Sequence, residues 1–356
     1  MALTPVVLAL NASGLALAQT IARALDAPLH GRTGRVEQAD AFFDNALDHA
    51  RDLFAAGIPI VGVWASGILI RAVAPLLNDK TQEPPVVSVA DDGSVVVPLL
   101  GGHRGANRLA RRIAEALDST AAVTTAGDVS LGVSLDEPPE GWALANPQDA
   151  KGAMAALLSG GGAARSGSEV ARAEWLADMP AGDAVKLSCD MMRQSDLGST
   201  HLHFAPKRVT IGVGCARNCP PEELADLVQA ALNEAGVCDA AVHSVNSISL
   251  KADEPAILEL AHHLNVPLRL FSAYELEAET PRLATPSDVV FAEVGCHGVS
   301  EGAALAQLGS EGKLWVHKRK SANATVALGL ADMPLTDLRG AARGRLSVVG
   351  IGPGQA

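Results

Sequence analysis

Short apolar runs followed by helical patterns are the feature that most restricts how this chain can fold. Residues 5–10 and 58–63 are continuous apolar runs, a pattern typical of strands in parallel sheets that are covered on both faces. A helical pattern follows each run, over residues 16–25 and 64–77. Strands that alternate with helices in this way predict an α/β layer on a mostly parallel sheet.

The rest of the first segment continues this alternation. Residues 86–89 and 95–99 are short strands joined by an Asp-Asp-Gly turn of the hairpin type, which predicts one antiparallel pair. Residues 40–56 are predicted to form one helix. We therefore expect residues 1–136 to be the first domain.

Composition agrees with this fold class. Hydrophobic residues make up 48% of the 356 residues and aromatic residues only 3%, so the core must consist of Ala, Val and Leu. Small residues of this kind suit contacts between helices and a sheet. A chain of this length suits two or three domains.

The second half of the chain repeats the pattern after a weaker middle segment. Residues 137–206 contain a Pro-Pro pair and a Gly-rich stretch, which predict a small linker domain with mobile loops. Residues 207–332 return to alternation and form the C-terminal domain, followed by a tail over residues 333–356. The predicted strands of this domain include residues 209–213, 268–271, 289–294 and 314–318. The overall prediction is an α/β protein in which a small linker domain joins two mostly parallel three-layer α/β domains.

Charge and cysteine content exclude several classes of protein. A net charge of −12 argues against nucleic acid as a partner, because phosphate binding requires a basic face. No apolar run is long enough to span a membrane, and no basic region precedes the first apolar run as in a signal peptide. Five scattered cysteines favour a reducing, cytoplasmic location.

The spacing of cysteine and histidine does not predict a metal site. Three residues separate Cys215 from Cys219, and no second pair has zinc-site spacing. We therefore expect neither a protein-bound metal nor a cofactor. Cys215 could be a nucleophile, although cysteine is also a common small buried residue.

The sharpest local signal lies at residues 99–110, where a predicted strand ends in glycines and a helix begins. The first backbone amides of such a helix can hold an anion. His103 lies on this turn and could act as a general base or acid near neutral pH. The other interpretation is a Gly-rich turn with a hydrogen-bonding histidine and a solvated basic helix face.

Further charged residues follow strands in the third segment. The amides of residues 214–218, together with Arg217, could hold a carboxylate. Lys251 and Glu301 follow other predicted strands, near the edge at which open α/β sheets bind ligands. Residues 313–320 are basic, which suits either an anionic ligand or a solvated edge strand. Glu301 could also simply favour a helix dipole.

Several motifs of the first half occur together in one known family. They are a Gly-Ile-Leu-Ile-Arg helix ending at Arg71, an Ala-Pro-Leu-Leu segment followed by Lys80, and the pair Glu83-Pro84. A Gly-His-Arg-Gly-Ala-Asn turn ends at Asn107, and Thr124-Thr125 closes the match. This combination resembles the cobalt-precorrin-5A hydrolase family of cobalamin biosynthesis. The family more often has Asp-Pro, and many members have an extra glycine in the turn.

The third segment resembles the C-terminal domain of that family, which also exists alone as an accessory protein of the aerobic route. The matching residues are Gly212 to Arg217, Ser247 to Lys251, Glu254, Val294-Gly295, Val299 to Glu301, Lys318, Ser321 and Ala324-Thr325. Residues 346–354, a strand and a Gly-rich turn, resemble the opening of a tetrapyrrole methylase. We therefore expect a fusion with a precorrin-3B methyltransferase, although many domains also end in a Gly/Pro-rich tail.

The resemblance implies a reaction and a ligand. Family members open a δ-lactone on the ring and release acetaldehyde, so the expected partner is a corrin or precorrin intermediate that brings any cobalt with it. Such a reaction needs a general base and donors for an oxyanion. We predict His103 and Glu301 as catalytic residues, at a cleft between domains. The predicted substrate-binding residues are Arg71, Lys80, Gly101, Gly102, Asn107, Gly214, Cys215, Arg217, Ser247, Lys251, Lys318 and Thr325.

A second function stays open, that of a non-catalytic carrier which delivers corrin intermediates to the fused methyltransferase. The short turn from His103 to Asn107 is similar to the form in bacteria that build corrin aerobically. The aerobic route removes its ring carbon differently, so such a variant could bind without hydrolysing.

Overall fold

The computed structural model describes residues 4–80, 82–125, 127, 131–195 and 197–343, and of His103 the backbone but not the side chain. The chain divides into two compact units, Ala2–Glu137 and Pro138–Ala356. The methylase-like segment predicted at residues 346–354 lies outside the described residues. In the part of the chain that is described, no helix is long and apolar enough to cross a membrane.

A seven-stranded sheet forms the centre of the first unit. Its strands are β1 (Val6–Ala9), β2 (Leu29–Arg32), β3 (Ala41–Phe43), β4 (Ile60–Val63), β5 (Val86–Val89), β6 (Val95–Leu100) and β7 (Thr120–Ala121). Their order is β3-β2-β1-β4-β5-β6-β7. β5 and β6 pair antiparallel, and the other neighbours pair parallel. The predicted mostly parallel layer with one antiparallel pair is confirmed.

Helices cover both faces of this sheet. They are α1 (Leu15–Leu25), α2 (Ala46–Ala55), α3 (Ser66–Val73) and α4 (Ala106–Leu117). Successive residues of a strand point to opposite faces. Val7 accordingly packs in a cluster with Ile21 of α1, whereas Leu8 packs in a cluster with Leu69 of α3. α4 contributes to the first of these clusters and α2 to the second, which gives three layers.

The helix predicted over residues 40–56 is wrong in its first part. Ala41–Phe43 is strand β3, which pairs with β2. The side chain of Asn45 accepts hydrogen bonds from the N–H groups of Leu47 and Asp48, at 2.9 and 3.4 Å, and caps α2. The pairing of β3 with β2 and the cap at Asn45 set the boundary between β3 and α2, and apolar periodicity does not reveal this boundary.

The second unit begins with a four-stranded sheet in the order β8-β11-β10-β9. Its strands are β8 (Trp142–Leu144), β9 (Ala163–Ser166), β10 (Val185–Cys189) and β11 (His201–Pro206), with helix α5 (Ala150–Leu158) beside them. Trp175 packs edge to face against Trp142 and Phe204, with ring centroids 6.2 and 5.0 Å apart. The segment predicted as a linker with mobile loops therefore contains a sheet with its own apolar core.

A six-stranded sheet in the order β15-β16-β12-β13-β14-β17 follows. Its strands are β12 (Val209–Cys215), β13 (Val242–Ile248), β14 (Leu268–Phe271), β15 (Lys313–Lys320), β16 (Ala324–Leu330) and β17 (Ala341–Ala342). β12, β13 and β14 are parallel, and the outer strands pair antiparallel. The helices are α6 (Pro221–Glu234), α7 (Pro255–His263), α8 (Ala273–Glu277), α9 (Asp288–Val294) and α10 (Val299–Leu308). The predicted α/β class is confirmed.

Residues 289–294, predicted as a strand, belong to helix α9, so that prediction is wrong. Ser287 caps this helix by accepting a hydrogen bond from the N–H of Val290 at 3.5 Å. Val289 and Phe291 are exposed, which a buried strand would not allow.

Helix α10 lies very close to β12. A Cβ added at Gly212 would overlap the carbonyl oxygen of Ser300, and one at Gly214 would lie 3.3 Å from Val299 Cγ1. Glycine at position 212 is therefore needed for this approach. The contact brings the first turn of α10 beside the carboxyl end of β12.

Candidate functional site

The carboxyl ends of β12, β13 and β14 carry several of the predicted residues at one edge of the six-stranded sheet. Loops leave this edge after Cys215, Ile248 and Phe271. Open α/β sheets bind ligands at this edge. We call these loops, together with the start of α10, the carboxyl edge.

A buried carboxylate, Glu254, joins two loops of the carboxyl edge. It is 1% exposed, and its Oε1 accepts a hydrogen bond from the N–H of Asn218 at 2.9 Å. Its Oε2 lies 3.4 Å from Lys251 Nζ and 3.7 Å from Arg217 Nη1. Glu254 matches the family motif in the sequence but is not among the predicted site residues. The sequence does indicate a helix start at this point, because Glu254 directly precedes Pro255, the first residue of α7.

Arg217 is the most exposed cation of this group, with 57% of its side chain accessible. Its Nη1 lies 2.7 Å from Asp253 Oδ1, and its Nη2 donates to the carbonyl of Leu250 at 2.9 Å. The hydrogen bond with Asp253 raises the pKa of Arg217 and lowers the pKa of Asp253. Solvent screens this exposed pair, so a ligand carboxylate can take the place of Asp253.

Cys215 lies beside this charged group, half-buried at the end of β12. Burial raises the pKa of its thiol to about 11, an effect that nearby Lys251 only partly offsets. Burial also raises the pKa of Cys219. Because the thiolate is the nucleophilic form, the structure does not favour Cys215 as a nucleophile.

Glu301 lies in the first turn of α10 and is 1% exposed. Its Oε2 accepts hydrogen bonds from the N–H groups of Ala284 and Thr285, both at 2.9 Å. Its Oε1 accepts one from the N–H of Lys318 at 2.9 Å, and Lys318 Nζ donates to the carbonyl of Thr285 at 3.1 Å. This geometry favours an anchoring role for Glu301, and its predicted catalytic role stays a prediction.

The hydroxyl groups of Ser247 and Thr325 bind the backbone of β12. Ser247 is fully buried, and its Oγ donates to the carbonyl of Val213 at 2.8 Å. Thr325 Oγ1 donates to the carbonyl of Gly214 at 3.2 Å. Both residues stabilise the strands at the carboxyl edge, and their contact with substrate stays a prediction.

In the first unit, the predicted Gly-rich turn is the single 3-10 turn Gly102–Arg104 between β6 and α4. Gly101 precedes it with φ +75°, and a Cβ there would lie 2.6 Å from the carbonyl carbon of Pro84. The carbonyl of Gly101 accepts hydrogen bonds from the N–H groups of Arg104 and Ala106, at 2.9 and 3.1 Å. The first amide of α4, that of Ala106, therefore donates its hydrogen bond within the turn. We expected this amide to be free to bind an anion, and it is not.

The other predicted residues of this unit differ in exposure. Asn107 is buried in α4, and its Nδ2 donates to Thr125 Oγ1 at 3.0 Å. Arg71 and Lys80 are exposed, and Arg71 Nη1 donates to the carbonyl of Gly67 at 3.1 Å. The His103 side chain lies outside the described residues, so its catalytic role stays a prediction.

The described residues contain no group of three or more His, Cys, Asp or Glu side chains placed to hold a metal ion. All five cysteines are free thiols. The expectations of no resident metal or cofactor and of a cytoplasmic location stay predictions.

Comparison with known families gives two matches. The family described as Cobalamin synthesis G C-terminus matches residues 209–329. The family described as Cobalamin synthesis G N-terminal matches residues 48–128. The first match spans β12 to β16 and the carboxyl edge, and the second spans the Gly-rich turn.

Individual proteins are also similar to this chain. The chain is 31% identical over 344 residues to Cobalt-precorrin-5A hydrolase from Salmonella typhimurium, which covers 90% of this chain and 96% of that protein. It is 49% identical over 120 residues to Protein CobE from Sinorhizobium sp, covering 34% of this chain and 78% of that protein. A solved structure of a putative cobalamin biosynthesis protein G homolog from Sulfolobus solfataricus is 22% identical, with a TM-score of 0.36 and coverage of 92% and 97%.

Proposed function

This chain belongs to the cobalt-precorrin-5A hydrolase family, and on that basis we propose that it hydrolyses the ring lactone of cobalt-precorrin-5A and releases acetaldehyde. The observation that carries the proposal is the 31% identity to the Salmonella typhimurium hydrolase over 90% of this chain and 96% of that protein. The substrate brings its own cobalt, and the proposed reaction uses no protein cofactor.

The proposed reaction consumes one water molecule. Water attacks the lactone carbonyl carbon, the bond between that carbon and the ring oxygen of the lactone breaks, and a carboxylate and an alcohol form. Loss of the alcohol proton then allows the carbon–carbon bond to the ring to break. Acetaldehyde leaves, and the ring carbon keeps the electron pair and takes up a proton. Both stages need a proton acceptor, and the first also needs donors for an oxyanion.

Cations of the carboxyl edge are proposed to bind the carboxylates of the substrate. A corrin intermediate carries many carboxylates, so a protein with a net charge of −12 needs local positive charge to bind it. Arg217 suits this task because guanidinium groups bind carboxylates in bidentate fashion and its present partner, Asp253, is 73% exposed. Lys251 of the carboxyl edge is a further cation proposed for this binding, as is Lys318 of β15, whose backbone N–H donates to Glu301.

The sequence-based assignments of the first unit complete the proposal. His103, on the glycine turn, is proposed as an acid–base group, and Arg71 and Asn107 as residues that position the substrate. Glu301 is proposed to support the substrate indirectly, through its hydrogen bond with the backbone of Lys318.

The direct test is to incubate the protein anaerobically with cobalt-precorrin-5A and to follow the mass of the corrinoid while acetaldehyde is trapped. We expect the mass to change by the gain of one water and the loss of one acetaldehyde. The variant His103→Ala should bind the substrate but lose turnover, and His263→Ala, which changes an exposed histidine of α7, should retain it.

A wild-type protein that holds the pigment without any change in mass would contradict the hydrolase. That result would favour the carrier instead. Turnover by His103→Ala at the wild-type rate would contradict the role of His103 alone and leave the hydrolase proposal standing.

A further inference from the structure

His297 lies in the short connection between α9 and α10, at the carboxyl edge. The preceding residue, Cys296, is buried in an apolar cluster with Ile248 and Phe271, the last residues of β13 and β14. The helix α10 begins two residues later, at Val299. This histidine therefore belongs to the same sheet edge as the loops that carry the proposed substrate-binding cations.

Glu277, the last residue of α8, holds this histidine by its ring and by its backbone. His297 Nδ1 lies 3.0 Å from each oxygen of the Glu277 carboxylate. The backbone N–H of His297 donates to Oε2 at 3.0 Å, and the hydroxyl of Thr280 donates to the same oxygen at 3.0 Å. The hydrogen bond from the His297 ring is the main cause that lowers the pKa of Glu277. In the tautomer that carries its proton on Nδ1, the His297 ring donates to the Glu277 carboxylate, and Nε2 keeps its lone pair.

The ring of His297 is also fixed by packing. It stacks on Phe291 of α9, with ring centroids 4.5 Å apart and an interplanar angle of 24°. Its side chain is 24% exposed, so the ring is neither sealed in the core nor free in solvent. Nε2 lies 3.5 Å from Asp288 Oδ1, but the Asp288 side chain is fully exposed at 102%, so solvent screens that interaction.

A carboxylate that orients a partly exposed histidine through Nδ1 is the arrangement with which enzymes prepare a general base. A contact that only tied α8 to the following connection would not require a stacked ring with its second nitrogen near solvent. His297 is not among the residues predicted from the sequence, because 20 residues separate it from Glu277.

We propose that His297 is a general base for the lactone hydrolysis and that Glu277 is the residue that positions it. This inference rests on the proposed function. His297 Nε2 takes a proton from water while the water oxygen bonds to the lactone carbonyl carbon and the C=O electron pair moves to oxygen. As that pair returns, the carbon–oxygen bond breaks, and the imidazolium gives its proton to the departing alkoxide.

The kinetic test compares His297→Ala and Glu277→Gln with the wild-type protein and with the control His263→Ala. We expect kcat for acetaldehyde release to fall about 100-fold in His297→Ala, while KM stays within about twofold. Glu277→Gln should lower kcat about tenfold. Added imidazole should restore part of the activity of His297→Ala and none of that of Glu277→Gln, a difference that a merely structural role would not produce.

A second measurement does not depend on the substrate. Diethyl pyrocarbonate modifies unprotonated imidazole nitrogens, and peptide mass spectrometry locates the modified ring. We expect His297 to react in the wild-type protein and to react several-fold more slowly in Glu277→Gln, with His263 unchanged.

The inference is overturned if the wild-type protein turns over and His297→Ala keeps kcat within about twofold of the control. It is also overturned if His297 does not react with the reagent or reacts at the same rate in Glu277→Gln. If the wild-type protein releases no acetaldehyde, the hydrolase proposal fails. The rate at which diethyl pyrocarbonate modifies His297 in the wild-type protein and in Glu277→Gln then still shows whether Glu277 positions His297 as a base.

Discussion

Buried carboxylates organise the loops of the carboxyl edge. Burial of an unpaired charge costs several kcal/mol, so each carboxylate must have strong partners. Glu301 has three backbone N–H donors. Glu254 has one backbone N–H and two cations, Lys251 and Arg217. These partners explain how both side chains can be only 1% exposed, and they set the positions of the cations proposed to bind substrate.

We expect Glu254→Gln to lower the free energy of unfolding by about 2 kcal/mol, because the amide leaves the partly buried Lys251 without its anion. Guanidinium chloride unfolding measures this change. The control Asp253→Asn alters the neighbouring carboxylate, whose side chain is 73% exposed, and should leave the free energy of unfolding nearly unchanged. Equal effects of the two substitutions would contradict the anchoring role of Glu254.

Strand β13 shows how one element tolerates many buried polar groups. All seven of its residues are buried, and four of them are polar. Asn246 Nδ2 donates to the carbonyl of Ile211 at 3.0 Å, and Ser247 Oγ donates to that of Val213 at 2.8 Å. These side chains add bonds to the neighbouring strand β12. Polar residues in a central strand are stable when every group has a partner in this way.

His243, in the same strand, predicts a pH dependence of stability. Burial lowers its pKa from 6.5 to about 4. Between these values the unfolded chain binds a proton that the folded chain does not, so the free energy of unfolding falls as the pH falls through this window. Between about pH 7 and pH 4, we expect the free energy of unfolding of His243→Gln to fall by about 3 kcal/mol less than that of the wild-type protein.

Denaturant unfolding at several pH values measures this difference. The control His262→Gln changes an exposed histidine of α7 and should keep the pH dependence of the wild-type protein. Parallel curves for His243→Gln and wild type would show that His243 does not carry the effect.

The molecule as a whole consists of two units with separate cores. The described apolar clusters each draw their residues from one side of the boundary between Glu137 and Pro138. Within the second unit, Arg208, the residue directly before β12, pairs with Glu169 at 2.5 Å, and both are buried. The middle segment and the six-stranded sheet are therefore joined by a buried ion pair.

We expect a fragment of residues 138–343 to unfold cooperatively on its own. A fragment of residues 207–343 lacks Glu169 and leaves Arg208 without its partner, so it should be less stable by about 3 kcal/mol. Urea unfolding followed by circular dichroism compares the two fragments. Equal stability would contradict the contribution of the buried pair.

Local patterns were sufficient for β4, β5 and β6 of the first sheet and for β12 and β14 of the second, whereas no bounds were predicted for β13 or β16. The apolar run at residues 58–63 contains β4, and the predicted hairpin pairs as expected. Local patterns were not sufficient for short elements such as β3 and α9. Pairing with a neighbour and a capping side chain decide such elements, and neither is visible in the periodicity of the chain.

The α/β class and the family follow from the chain alone, because apolar alternation and motif spacing are local properties. The position of Arg217 and Lys251 after strands was also predicted in this way, and their role as site residues stays a prediction. The contact of Glu254 with Asn218 spans 36 residues, and that of Glu277 with His297 spans 20. Contacts of this kind depend on how the strands order themselves in the sheet and how closely α10 approaches β12. They therefore emerge only when distant segments pack together.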